Sequence, residues 1–191
     1  MILMLFGLAL FLGTHILTTR RDTRAALIAR IGEGPYKALY SVVALAGLLA
    51  TAYGFGAWRA EGPAQLWYPP VWLRHLNNLL MLIASICAVA AYVPSRIRAR
   101  LKHPLLVAVK TWALAHLLVN GDVAGITLFG AILAWAVFDR ISLKRRGGPL
   151  PVAPAGWAGD VVAVVGGLVL YAALAFYFHP YVVGVPVMPP T

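Results

Sequence analysis

Charge is scarce in this chain. Asp, Glu, Lys and Arg make up 12% of its 191 residues, against about 25% in a soluble domain. Hydrophobic residues make up 61% and the mean hydropathy is +0.81. Such a chain cannot cover a globule with polar groups, which excludes a soluble domain and points to an integral membrane protein. Acid is scarcer than base, with six Asp and Glu against 16 Lys and Arg. No carboxylates are paired inside an apolar run, which argues against two-acid hydrolysis and carboxylate proton relays. Cysteine is limited to Cys87, in an apolar run. That excludes an intrachain disulfide and a thiolate metal cluster, and leaves Cys87 a small apolar residue. The sequence has no Gly-rich phosphate loop, HExxH, Cys-x-x-Cys-His or nucleophile elbow, so catalysis here would need a cofactor. It also has no low-complexity linker and no internal repeat, which argues against a repeat-built transporter.

Six apolar runs are present, at about 2–17, 36–57, 72–93, 104–119, 123–138 and 158–178, each near the roughly 20 residues that span hydrocarbon. The first lacks a basic leader and a small-x-small cleavage site, so it reads as a retained helix. The expected fold is all-α: a polytopic membrane helix bundle of six transmembrane helices, one domain over residues 1–191. Asn120-Gly121-Asp122 separates the fourth and fifth runs. It reads as a tight turn closing an antiparallel hairpin, with Gly121 at positive φ and Asp122 capping the next helix. Basic residues fall by loop. Arg20, Arg21, Arg24, Arg30 and Lys37 follow the first run. Arg96, Arg98, Arg100, Lys102 and Lys110 follow the third, and Arg140, Lys144, Arg145 and Arg146 the fifth. Only Arg59 and Arg74 lie on the other side. By the positive-inside rule the three basic loops are cytoplasmic and both termini extracytoplasmic, as expected in a bacterial inner membrane. The charge of +10 then serves topology and attraction to anionic lipid, not nucleic acid. Trp58, Trp67, Tyr68 and Trp72, with Pro63, Pro69 and Pro70, suggest a loop lying in the extracytoplasmic interface. The tail, PYVVGVPVMPP, is expected to lie across the extracytoplasmic mouth. Gly47, Ala84, Ala88 and Gly166-Gly167 permit close helix contact.

Of the five histidines, His75, His103 and His179 fall near the ends of runs, where an imidazole needs no special partner. His15 and His116 lie deeper, and an ionisable side chain within a span marks a candidate functional site. His116 is 13 residues beyond His103, about 20 Å along a helix. His15 is five residues short of Arg20, about 8 Å. The expected depths therefore differ by roughly 12 Å, too far for direct contact and near the span of two imidazoles on one iron. The alternative is that each bonds separately to a nearby hydroxyl or carbonyl. Thr14, Thr18, Thr111, Thr127, Asn77, Asn78 and Lys110 are other polar groups in the runs. Asp122 reads as a helix cap or as an orienting carboxylate for His116. Glu33 reads as a cap or as a partner of Arg24 or Arg30.

The run from His103-Pro104 through Trp112-x-x-x-His116, Asn120-Gly121-Asp122 and Leu128-Phe129-Gly130 resembles the signature of NnrU-family membrane proteins. His15, the segment IGEGPYKALYS and the closing FHPYVVGVP extend the resemblance over almost the whole chain. It implies a link to denitrification, through nitrite and nitric oxide reductase systems. The family is similar to the plant 15-cis-zeta-carotene isomerase, a membrane haem b enzyme. That resemblance implies haem b with His15 and His116 as ligands of its iron. It also implies an isomerase-like redox activity on a hydrophobic small molecule. Where the isomerase has a cysteine after the tryptophan, this chain has Ala113, which removes that ligand. A different role also suits a small chain without soluble domains: a non-enzymatic accessory or assembly protein, free of cofactor, for a respiratory reductase partner.

Overall fold

A computed structural model describes residues 1–187 of the chain; the end of the tail, from 188 onward, lies outside the described residues. The described residues are all-helical, with one isolated β-bridge between Gln65 and Asp122. The helices are α1 (Ile2–Thr19), α2 (Arg21–Ile31), α3 (Glu33–Ala60), α4 (Trp72–Ala90), α5 (Arg96–Leu101), α6 (Pro104–Val119), α7 (Val123–Arg146) and α8 (Ala158–Ala173). After Ala173 the helix widens into a π-helical stretch, Leu174–Val183, with Pro180 inside it. Each of the six apolar runs is helical, the third only as far as Ala90. Five of these helices are long and apolar enough to cross a bilayer, whereas Pro104–Val119 has 16 residues. The chain is a multi-pass membrane protein.

Burial follows the same logic. The residues with no exposure are mostly small, among them Ala90, Ala113, Ala115, Ala124, Ala136 and Ala163. Large apolar side chains face outward, such as Leu49 at 60% and Val169 at 65% exposed. Water would penalise that pattern, whereas lipid does not, and small residues let helix backbones approach in the membrane.

The chain forms two compact units. The first comprises residues 1–69 and 120–147, and holds α1, α2, α3 and α7. Its backbone is the seam between α1 and α3. A Cβ on Gly54 would collide with the backbone of Met4, and one on Gly7 with the backbone of Thr51. On Gly47 it would stand 2.7 Å from the Phe11 nitrogen. The pairs 4/54, 7/51 and 11/47 run in opposite senses, so α1 and α3 are antiparallel. The same register carries His15 and Thr18 alongside the Tyr40 end of α3. α7 packs on α1 and α3.

The second unit comprises residues 70–119 and 148 onward, and α4 is its centre, packed by α6 and α8. Here Gly167 lies against Ile86, where a Cβ would stand 2.6 Å from its Cα. At one end, buried Asp160 accepts a hydrogen bond from the Ile97 amide at 2.9 Å. Arg96 donates to the Ala155 carbonyl at 2.8 Å and lies over the Trp157 ring at 3.9 Å.

Several expectations need correction. The basic segment after the first run is a helix, α2, stopped by Gly32 at φ +86°. Arg140, Lys144, Arg145 and Arg146 belong to the last turns of α7, not to a loop. Glu33 pairs with Lys37 at 2.8 Å, one turn on, rather than with Arg24 or Arg30. Gly121 is not among the positive-φ glycines of the described residues. Its lack of a side chain serves close approach instead, because a Cβ there would collide with the Trp67 carbonyl. The loop before α4 pairs with this turn: Leu66 N–H donates to the Gly121 carbonyl at 2.8 Å and Val123 N–H to the Ala64 carbonyl at 3.0 Å. The turn organises that pairing, while α6 finds its packing partner in α4 and α7 in α1 and α3.

Candidate functional site

The two deep histidines fall one in each unit, and each is held in the same way. His15 Nδ1 lies 2.7 Å from the Phe11 carbonyl. His116 Nδ1 lies 2.9 Å from the Trp112 carbonyl. A carbonyl only accepts, so Nδ1 is the donor in both bonds. A metal-ligating imidazole is fixed by this kind of bond. The cause is local: a histidine four residues past a carbonyl on the same helix face can fold back onto it.

In the first unit aromatic rings surround His15. Phe11 lies 4.4 Å away by ring centroids, Trp135 meets it edge-on at 5.2 Å and Tyr40 stands at 5.7 Å. Trp135 Nε1 is buried and has no hydrogen-bond partner among the described residues. Thr14 and Thr18 donate to the carbonyls of Phe11 and His15, both at 2.7 Å, so they satisfy backbone, not the imidazole. No other hydrogen bond of the His15 ring is formed among the described residues, beyond a 3.4 Å approach of Thr14 to Nδ1. An aromatic wall with an orphaned buried N–H beside a histidine suits a flat macrocycle bearing a metal. The imidazole is the donor type that a haem iron takes, and the rings give it an apolar wall.

In the second unit Trp112 lies 5.1 Å from His116 by ring centroids, and His179 lies 6.1 Å away with its plane at 27°. His179 was expected at a helix end without a particular partner. The structure brings it to His116, and a separation of 63 positions hid that from the sequence. Ala113 and Ala115 are fully buried in helix packing. His75 is exposed and His103 half-buried. Among the described residues no three His, Cys, Asp or Glu side chains gather as in a protein-only metal cage.

Asp122 takes the capping role. Its side chain accepts from Gly125 N–H at 2.8 Å, and Arg59 lies 3.9 Å away. Cys87 is buried and unpaired, as expected. Sequence reasoning missed Trp135, Tyr40 and Tyr36 as neighbours of the His15 region, although the spacing of Tyr36 and Tyr40 places them on one face of α3.

No significant match is found among curated proteins or among solved structures. A family model described as NnrU, "NnrU protein", matches residues 3–187. That span is nearly the whole chain, and it takes in both histidines and the Trp112–His116 segment: the protein belongs to the NnrU family.

Proposed function

We propose that this NnrU-family protein binds haem b in the bacterial inner membrane, with His15 and His116 as the ligating side chains, and serves nitrogen-oxide reduction. The observation that carries the reading is the shared bonding of the two imidazoles. Each gives its Nδ1 proton to the carbonyl one turn back, the bond that orients a metal-ligating imidazole. When bound, haem would supply a redox-active iron whose ligation tunes its potential and access. The chain's own residues hold and shield it. The Phe11 and Trp112 carbonyls fix ring tautomer and orientation. Trp135, Tyr40 and Phe11 keep water from the His15 side. Trp135 Nε1–H offers a donor to a polar substituent or small ligand held there. Because Ala113 stands where the isomerase has its cysteine, position 113 offers no thiolate for a ligand exchange.

The topology belongs to the same proposal: six spans, both termini extracytoplasmic and the basic ends of α1–α2, α5 and α7 in the cytoplasm. Extraction of the purified protein into alkaline pyridine and dithionite tests the cofactor, with haem b in stoichiometric amount expected. A protein without haem after haem-supplemented expression, copurifying with a reductase subunit, would overturn this reading in favour of an accessory role.

A further inference from the structure

We propose that the cavity at the Tyr36 end of the α1–α3 seam binds the phosphate headgroup of an anionic membrane lipid. The cavity has a volume of about 420 Å³ and is lined by Thr18, Arg24, Tyr36, Lys37, Tyr40 and Ser41. Two of these are cations and four carry hydroxyls. Tyr36 is 6% exposed, and its Oη is buried without a hydrogen-bond partner among the described residues. A buried hydroxyl without a partner costs on the order of 1–3 kcal/mol, so a turn of the Tyr36 ring that brings Oη to an acceptor in the cavity has a driving force. The Arg24 guanidinium lies over the Tyr36 ring at 5.8 Å from its centroid. No ion pair of Arg24 occurs among the described residues.

The nearby carboxylate is Glu33, engaged with Lys37 at 2.8 Å on an exposed face. Two cations against one carboxylate leave the site positive. Thr18 is committed to the His15 carbonyl, which leaves Tyr36, Tyr40 and Ser41 as donors. Hydroxyls and a guanidinium converging on one cavity are the donor set for a phosphodiester. The position favours a lipid over a free ion. The cavity lies where the apolar lengths of α1 and α3 give way to basic α2, the level of a headgroup. Leu39, Val42, Leu45 and Leu49, all exposed on α3, provide an apolar surface for acyl chains. Free phosphate shares the headgroup chemistry but not that surface.

The test uses the full-length protein in detergent, titrated with phosphatidylglycerol, phosphatidylcholine and inorganic phosphate, with binding read by native mass spectrometry. Phosphatidylglycerol should bind in preference to phosphatidylcholine, and inorganic phosphate should compete only weakly. Tyr36→Phe removes one hydrogen bond to a charged acceptor and should weaken phosphatidylglycerol binding roughly tenfold. Arg24→Gln should weaken it more than Arg30→Gln, which removes the same charge from the same helix outside the cavity. Diffuse attraction would make the two arginine variants equal and leave Tyr36→Phe without effect; either result overturns the proposal. So does inorganic phosphate binding as tightly as the lipid. Should Tyr36→Phe fail to fold, the comparison of the arginine variants decides alone.

Discussion

Gly47→Ala should destabilise the protein, while Gly56→Ala on the same helix should not. In α3 both glycines carry the same intrinsic penalty, and alanine at an exposed helical position would recover about 1 kcal/mol of it. Their surroundings differ. A Cβ at Gly47 would stand 2.7 Å from the Phe11 nitrogen and 3.0 Å from the Gly7 carbonyl oxygen. At Gly56 it would meet nothing within 4 Å. Carbon contacts relax only at about 3.5–4.0 Å, so Gly47→Ala must push two backbones apart by roughly 1 Å. Neither neighbour is the free end of a side chain that can swing away. The separation would also loosen the Gly7–Thr51 and Gly54–Met4 contacts along the same seam. Overpacking of this kind costs about 1–3 kcal/mol, and the net loss should fall in that range. Reversible unfolding by sodium dodecyl sulfate in mixed micelles, followed by circular dichroism, reads it directly. Equal stability of Gly47→Ala and the wild type would refute the seam, as would equal losses in the two variants.

Other perturbations test other parts. Asp122→Ala removes the cap on Gly125 N–H and the partner of Arg59. It should cost about 1–2 kcal/mol in the same unfolding assay, with Asp122→Asn nearly neutral because it still accepts the bond. Asp160→Ala leaves the Ile97 amide unbonded inside the second unit. It should cost about 1–3 kcal/mol and speed hydrogen exchange across Arg96–Leu101; unchanged exchange there would count against the anchor. A phosphatase reporter active only outside the cytoplasm should be active when fused at either terminus and inactive when inserted after Arg146. Activity at the Arg146 site would reverse the proposed orientation.

The long elements were legible because each apolar run approaches a membrane thickness, and length with hydropathy is the strongest signal a single sequence carries. The short basic helices were not. In α2, RDTRAALIARI, charge drew attention away from the high helix propensity of Ala, Arg and Leu, a signal that was present. The extension of α7 to Arg146 was hidden for the same reason. The π-helical stretch through Pro180 has no signature in the apolar pattern, which reads simply as more of α8. Of the candidate site, the carbonyl partners of His15 and His116 follow from helical spacing and were available in advance. The approach of His179 to His116 and of Trp135 to His15 were not, because tertiary packing alone brings together residues so far apart in the chain. Asp122 shows how a correct local reading survives: a cap needs only the three residues that follow it.

The measurement closest to the central claim is the visible absorption of the purified protein, oxidised and dithionite-reduced, for the wild type, His15→Ala and His116→Ala. The account predicts a Soret band in the wild type that shifts on reduction, and its loss or displacement in each variant while circular dichroism keeps the helical signal. A colourless wild-type protein after haem-supplemented expression, or an identical band in all three, would contradict it.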